Sequence, residues 1–417
     1  MKGKSIDVAV IGAGPAGLAA AIKAREAGAG NVTIIERAEA PGGLLFQCIH
    51  NGFGLQRFNE DLTGPEYAHR FIEKARDLGV NLLLSSMVLD IEADREMVVA
   101  NSRDGLMSFQ PKAIVLAMGC RERSRQSLFI PGTRPAGIFT AGTAQRYVNV
   151  EGYMPGKKFV ILGSGDVGMI MARRLTLEGA EVKAVVEVLP YVGGLIRNEV
   201  QCIYDFDIPL MCSHTVISVH GQERVESVTV AKVDKNWQPI PGTEWDIGCD
   251  TLLLSVGIVP ENELSLKAGV ALDPFIGGPV VNENMETSVP GIFAGGNVVH
   301  VHDLVDNVSE EAEGAGLHAA EYATGKMRAS ESKITLRAGP NIRYIIPHSI
   351  SGESDVTLFM RVKEPADKVR LSVGNIYSKA LRAVRPSEML KVKLTGDELA
   401  RLDRSANELT VSCEQKR

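Results

Sequence analysis

The stretch that decides the fold is Ile6-Asp7-Val8-Ala9-Val10-Ile11-Gly12-Ala13-Gly14-Pro15-Ala16-Gly17, an apolar run ending in a G-x-G-x-x-G turn. A counterpart begins 151 residues on, where Phe159 to Leu162 leads into Gly163-Ser164-Gly165-Asp166-Val167-Gly168. After each turn come a helix-like stretch and a second apolar strand ending in an acid. The acids are Glu36 and Glu187, each 24 residues beyond the first glycine of its turn. The first glycine lets strand turn sharply into helix, the second lets backbone approach a pyrophosphate, and the third lets helix pack on strand. A diphosphate then meets unpaired N–H groups at the positive end of the helix, and the acid accepts from ribose hydroxyls. Two dinucleotide sites on one chain suit the passage of electrons between the nucleotides.

The bulk properties bound the remaining choices. With 417 residues, 45% of them hydrophobic and 42 of them glycine, the chain has room for two or three α/β domains. A net charge of -6 and the absence of a basic run argue against nucleic acid as a partner. No run reaches the roughly 18 apolar residues that span a bilayer, so no transmembrane segment is expected. Lys2 and Lys4 precede an apolar run, but the glycine turn at Gly12 makes that run a first strand rather than a signal peptide. The cysteines at 48, 120, 202, 212, 249 and 413 form no CxxC, which fits a reducing cytoplasm and leaves no iron–sulfur or zinc framework. Metal ligands would have to come from distant parts of the chain, and none are expected.

Along the chain, the pattern predicts a strand at 6–11, a helix over 15–28 and a strand at 32–35. A long connection, 44–64, holds Cys48, His50 and Asn51, and such a stretch on a rigid scaffold is more often functional than a short linker. Pro65 suits the first turn of a helix running to Leu78. Strands follow at 80–92, 96–100 and 112–117. The second strand–helix–strand pattern covers 156–187, with a helix over 193–206 and strands near 208–219, 224–233 and 250–256. The small residues between Asp306 and Ala323 predict a helix packed closely on a sheet. Strands at 334–346, 356–362 and 369–373 and helices at 376–384 and 396–405 complete the reading.

These motifs, in this order, resemble the FAD-dependent pyridine nucleotide–disulfide oxidoreductase family over residues 5–325. The resemblance implies an α/β fold of two Rossmann-like nucleotide-binding domains, the second inserted in the first, plus a small C-terminal α+β domain. The FAD domain would comprise 1–120 and 258–326, with a connecting segment at 121–149. An NAD(H) domain would span 150–257 and the C-terminal domain 327–417. Carried over by residue, FAD would be held by Gly12, Gly14, Pro15, Ala16, Gly17, Glu36, Arg37 and Gly43, with Gly119, Gly296 and Asn297. NAD(H) would be held by Gly163, Gly165, Asp166, Val167, Gly168, Glu187 and Gly257.

Ala113 to Gly119 and Leu252 to Gly257 resemble the family's returning strand-and-glycine stretches, and Thr287 to Asn297 its late FAD motif. That motif usually ends in aspartate, and asparagine keeps an acceptor and adds a donor while removing the charge. Glu187 would repel the 2′-phosphate of NADPH, and Val188 to Tyr191 supply no arginine. NADH is therefore favoured, with NADP(H) not excluded.

The redox centre departs from the family. A lone Cys48 stands where disulfide reductases of this family carry a pair. It resembles the single flavin-facing cysteine of NADH peroxidase and coenzyme A disulfide reductase, but reads more readily as a small hydrophobe lining a pocket. His50 could stabilise a thiolate or shuttle a proton, or simply bond to backbone. Cys48 and His50 are thus the candidate catalytic residues. His300, His302 and Asp303 are candidate flavin contacts, or caps for the helix near Asp306. Arg121, Arg123 and Arg125 read as an anion-friendly rim or a solvated loop edge.

Cys48 to Leu55, with Asn297 and His300 to Asp303, resembles a bacterial branch of electron-transfer subunits. Those accompany a glycerol-3-phosphate- or 2-hydroxyacid-dehydrogenase-like flavoprotein and a small cysteine-containing protein; similar subunits occur in opine, proline and cyanide-producing glycine dehydrogenase complexes. The resemblance implies an oligomer that passes hydride between NADH and FAD, with a small-molecule substrate or protein electron acceptor. Three alternatives stay open: a Cys48-dependent peroxide or small-disulfide reductase, a direct amine or 2-hydroxyacid dehydrogenase, and a structural subunit with a vestigial nicotinamide site.

Overall fold

The structure, a computed structural model, describes residues 6–327, 333–402 and 407–415. Lys2, Lys4 and the last part of the helix expected at 396–405 lie outside the described residues. The chain divides into two compact units, one of residues 1–120 with 260–417, the other of residues 121–259. No described helix is long and apolar enough to cross a membrane.

In the first unit, five parallel strands are ordered Ile292–Ala294, Ala113–Leu116, Val8–Ile11, Val32–Ile35 and Asn81–Leu83. The fingerprint strand is central and all four of its residues are buried, as a strand covered on both faces requires. Its turn feeds the helix Pro15–Glu26, which starts with proline where an N–H is not needed. That helix is alanine-rich because another helix, Val305–Ala323, lies directly against it. A Cβ on Gly316 would come within 2.1 Å of the Ala20 carbonyl oxygen, so only glycine permits this approach. A three-stranded antiparallel sheet, Ser86–Ile91, Met97–Asn101 and Gly105–Phe109, completes this part.

The second unit repeats the order with its own strands: Ile138–Thr140, Thr251–Leu254, Lys158–Leu162, Glu181–Glu187 and Leu210–Cys212. All are parallel, and the fingerprint strand is again central. Residues 121–149, expected as a connector, supply the edge strand Ile138–Thr140 and the helix Ala141–Asn149. The helix expected over 193–206 is shorter, Ile196–Cys202, followed by a 3-10 turn at Tyr204–Phe206.

Residues 327–417 were expected as a separate domain but fall in the first unit, while 334–415 keep an apolar core of their own. Two sheets enclose it, a five-stranded one containing Ala366–Val373, Tyr377–Val384 and Glu408–Gln415, and a three-stranded one of Ile342–Ile346, Val356–Val362 and Leu390–Leu394. The helix expected at 376–384 is the strand Tyr377–Val384. Its Ala, Leu, Arg and Lys favour helix, but a hairpin partner overrides the propensity, pairing Val369 with Leu381 and Val373 with Tyr377. Of the helix expected at 396–405, the turn Gly396–Leu399 is present, held by a capping box between Thr395 and Glu398. Cys413, near the end of the chain, is buried in the last strand.

Candidate functional site

The two glycine turns divide their labour in the same way. In the first, a Cβ on Gly12 would lie 2.5 Å from the Ala117 oxygen, and on Gly17 1.8 Å from the Gly12 oxygen. A Cβ on Gly14 would meet nothing within 4 Å. In the second turn, Gly163 is closed off by the Ser255 oxygen at 2.1 Å and Gly168 by the Gly163 oxygen at 2.7 Å, while Gly165 meets only ordinary contacts at 3.7 Å. The outer glycines are demanded by protein packing. The middle ones face open space at a helix N-terminus, where a diphosphate would approach the backbone.

The acids occupy equivalent places. Glu36 accepts the Ala13 N–H at 2.7 Å and the Ala38 N–H at 2.8 Å. Glu187 accepts the Ser164 N–H at 2.8 Å, the Ser164 hydroxyl at 2.6 Å and the Leu189 N–H at 2.8 Å. Each buried carboxylate is thereby tied to its own glycine turn and keeps lone-pair capacity for further donors.

Ser164 is a residue that sequence reasoning missed, although it sits inside the fingerprint. Its hydroxyl also accepts the Gly193 N–H at 2.8 Å. Asp166 accepts the Leu195 N–H at 2.8 Å and the Asn198 amide at 2.6 Å, so the 193–198 segment is fastened to the start of the helix Asp166–Leu177. Val167 is exposed beside it. Gly257 takes a positive φ of 95° and Gly119 one of 74°, matching the two returning turns to each other.

Other expected FAD residues gather around the first turn. Gly42 donates its N–H to the Ala13 oxygen at 2.8 Å, and Gly43, at φ 58°, leaves no room for a Cβ beside the Gly14 Cα. Pro15 and Ala16 open the helix, and Gly296 packs on Ala16 so closely that a Cβ would stand 2.7 Å from the alanine methyl. Arg37 is exposed. Asn297 spends its carbonyl oxygen on the His302 N–H at 3.0 Å and its amide on the Cys120 sulfur at 3.6 Å. At the start of the helix Val305–Ala323, buried oxygens of Asp306 and Asn307 have no hydrogen-bond partner. An open middle glycine, a fastened acid and orphaned polar atoms are what the chemistry of FAD asks of this unit, and the residues present fit it.

Cys48 lies at the end of the 3-10 turn Gly43–Gln47, where its carbonyl accepts the Gly64 N–H at 2.9 Å. Burial pushes its thiol up to about 12. His50 bonds the Asn51 carbonyl oxygen at 2.9 Å and stacks loosely on Phe53. The connection is anchored to the helix Val305–Ala323 through Gln56 N–H to Asp306 at 3.3 Å and an Arg57–Glu313 ion pair. Leu44, Phe46, Ile49 and Leu55 stand exposed along it.

His300 and Asp303 bond within the protein, whereas both ring nitrogens of the buried His302 lack a hydrogen-bond partner. His300 bonds Glu311 at 2.6 Å and approaches the Tyr344 hydroxyl at 3.4 Å. Asp303 accepts the Met389 N–H at 3.0 Å. Glu311, nine residues beyond His302 and on a helix, carried no local signal in the sequence. Of the three arginines after Gly119, Arg125 is a staple, donating to the carbonyls of Ile130, Pro131 and Thr133, while Arg121 and Arg123 are exposed.

The family profile described as Pyridine nucleotide-disulphide oxidoreductase matches residues 6–319. The hydrogen cyanide synthase subunit HcnB of Pseudomonas protegens is 27% identical over 288 residues, covering 64% of this chain and 59% of HcnB. An opine oxidase subunit of Agrobacterium tumefaciens is 26% identical, covering 70% of this chain and 61% of that protein. The chain thus spans about three fifths of the length of these relatives. Among solved structures, thioredoxin reductase of T. acidophilum superposes with a TM-score of 0.64 at 23% identity, over 78% of this chain and 100% of that one, a likeness of fold.

Proposed function

The chain belongs to the pyridine nucleotide-disulphide oxidoreductase family, FAD-dependent enzymes that draw on NAD(P)H, and from that premise we propose that it is an electron-transfer subunit joining NADH to FAD within a larger dehydrogenase. The observation that carries this reading is the shared construction of the two turns: packed outer glycines, an open middle glycine and an acid fastened to the turn. A vestigial second site would have no reason to keep all three.

When bound, the flavin supplies a ring that exchanges hydride with a nicotinamide. The protein's part is to bind and orient. Gly12 to Gly17 and Glu36 would hold FAD, with Gly43, Gly119 and Gly296 shaping the surrounding backbone. Gly163 to Gly168 and Glu187 would hold NADH, the carboxylate accepting ribose hydroxyls and repelling a 2′-phosphate. Asp306 and Asn307 offer buried oxygens to a ligand that brings donors.

Two observations support a partner-dependent role. HcnB and the opine oxidase relative are both named as subunits. The exposed Leu44, Phe46, Ile49 and Leu55 also form an apolar stretch of the kind that marks contact surfaces. The partner we favour is a second flavoprotein dehydrogenase subunit with a small cysteine-containing protein, acting in the cytoplasm. Against a Cys48-based reductase stands a thiol pushed up to about 12, which holds almost no thiolate at neutral pH.

Anaerobic titration of the bound flavin with NADH and, separately, NADPH tests the proposal. Rapid bleaching by NADH alone is expected. A flavin that dithionite reduces but neither nucleotide bleaches would overturn it.

A further inference from the structure

The segment after Gly296 and Asn297 closes on a cluster that the nucleotide sites do not use. His300, His302 and Glu311 are all buried, with one ligand atom from each lying within 4.8 Å of the others. The two imidazoles sit side by side, 4.2 Å between centroids. Tyr344 and Phe359 wall them off, at 5.6 Å from His300 and His302 respectively.

The internal bonding of this cluster is incomplete. Glu311 accepts the Gly296 N–H at 2.8 Å and meets His300 Nε2 at 2.6 Å. His302 Nε2 stands 3.4 Å from the other carboxylate oxygen, outside hydrogen-bonding alignment, and its Nδ1 has no partner either. A buried imidazole with both nitrogens unsatisfied has given up its hydration with nothing in return. Glu311 also lacks a lysine or arginine partner among the described residues. Arg361 is engaged elsewhere, donating to the carbonyls of Val301 and Pro386. A buried carboxylate of this kind calls for a compensating cation.

We propose that His300, His302 and Glu311 form a binding site for a divalent cation of borderline softness, of which zinc is the type. Two imidazoles and one carboxylate are the donors that such ions select. A tetrahedral zinc ion with bonds of about 2.0–2.1 Å separates neighbouring ligand atoms by about 3.3–3.4 Å. The separation of His302 Nε2 from Glu311 Oε1 already has this value. His300 Nε2 now sits on the other carboxylate oxygen, Oε2, and would give up that hydrogen bond to bind the ion, its proton moving to Nδ1, where the Tyr344 hydroxyl can accept it. Gly296 N–H then orients the carboxylate from behind, and one coordination position remains for a small donor such as water. The ion would pin the 296–303 turn to the helix Val305–Ala323 and, through Tyr344, to the C-terminal sheets.

The test uses the full-length flavoprotein with any affinity tag removed. Metal content is measured after chelation and reloading with zinc, and cobalt replaces zinc as a spectroscopic probe beyond the flavin band. About one zinc per chain is expected in the native protein and in His69→Gln, which alters an exposed histidine elsewhere. His302→Gln and Glu311→Gln are expected to lose about tenfold or more in zinc affinity. Their circular dichroism should be unchanged, which separates loss of the ion from loss of the fold. His302→Gln removes no hydrogen bond, so it serves if Glu311→Gln does not fold. A native protein that takes up no zinc, or a His302→Gln variant that takes it up as tightly, would overturn the assignment.

Discussion

The Ser164 hydroxyl donates to Glu187 at 2.6 Å while accepting the Gly193 N–H at 2.8 Å, so one side chain joins the glycine turn, the acid at the end of the second strand and the 193–198 segment. The acid's position is therefore fixed before any nucleotide arrives. If Glu187 takes the part proposed for it, Glu187→Gln keeps the shape but removes the charge that would accept ribose hydroxyls and repel a 2′-phosphate. Hydrogen bonds to a charged group contribute about 1.5–3 kcal/mol, so the NADH-to-NADPH ratio of kcat/KM should fall about tenfold or more. Steady-state kinetics with both nucleotides would show an unchanged ratio if Glu187 has no part in the choice.

Gly14 and Gly17 should fail differently. Gly17→Ala drives a methyl into the Gly12 carbonyl and is expected to prevent folding of the first unit. Gly14→Ala has an ordinary φ of -73° and open space, so the apoprotein should fold normally and lose flavin. Gly165→Ala, at φ -63°, should keep flavin and lose NADH. Thermal melts paired with flavin content and NADH binding separate these outcomes.

Cys48→Ala should retain most NADH-dependent flavin reduction. In the native protein, alkylation of Cys48 should be slow at neutral pH and accelerate with rising pH without reaching a plateau below the thiol's value of about 12. Mass-spectrometric mapping of alkylation against pH reads this directly; rapid labelling at neutral pH would restore a redox role for the thiol.

His348 accepts the Val281 N–H at 3.1 Å and lies 3.2 Å from Asp273, yet burial keeps its pKa below the ordinary 6.5. The unfolded chain therefore binds its proton first as pH falls. Stability is fully present above about pH 6.5 and declines below it, by at most about 1.4 kcal/mol per pH unit from this group, until the folded pKa is passed. Denaturant melts of His348→Gln between pH 7 and 5 should show a shallower decline than the native protein.

Much of the architecture was legible because its signals are local. Glycine spacing fixed both turns, Pro65 marked the start of the helix Gly64–Asp77, and the small residues after Asp306 marked the helix Val305–Ala323. The C-terminal sheets were harder to read, since Tyr377–Val384 becomes a strand only through pairing with Ala366–Val373. Cys413 is likewise buried by a strand that pairs with Ala366–Val373 on one side and Ile334–Ala338 on the other. At the nucleotide sites the acids were visible, but the clamp made by Ser164 and Asp166 was not, because its partners lie about 30 residues downstream. The pairing of His300 and His302 with Glu311 depends on a helix turning back over its own leading loop.

The strand orders also set a timetable for synthesis. The second unit's sheet is complete once Leu254 has emerged, with every strand drawn from a continuous stretch of chain. The first unit's sheet still awaits Ile292–Ala294 and the helix that covers it. On the ribosome, the later fingerprint thus reaches its finished setting before the earlier one. Until then, the apolar strand Ala113–Leu116 lacks its outer neighbour, making the unfinished first unit the stage most exposed to misassembly.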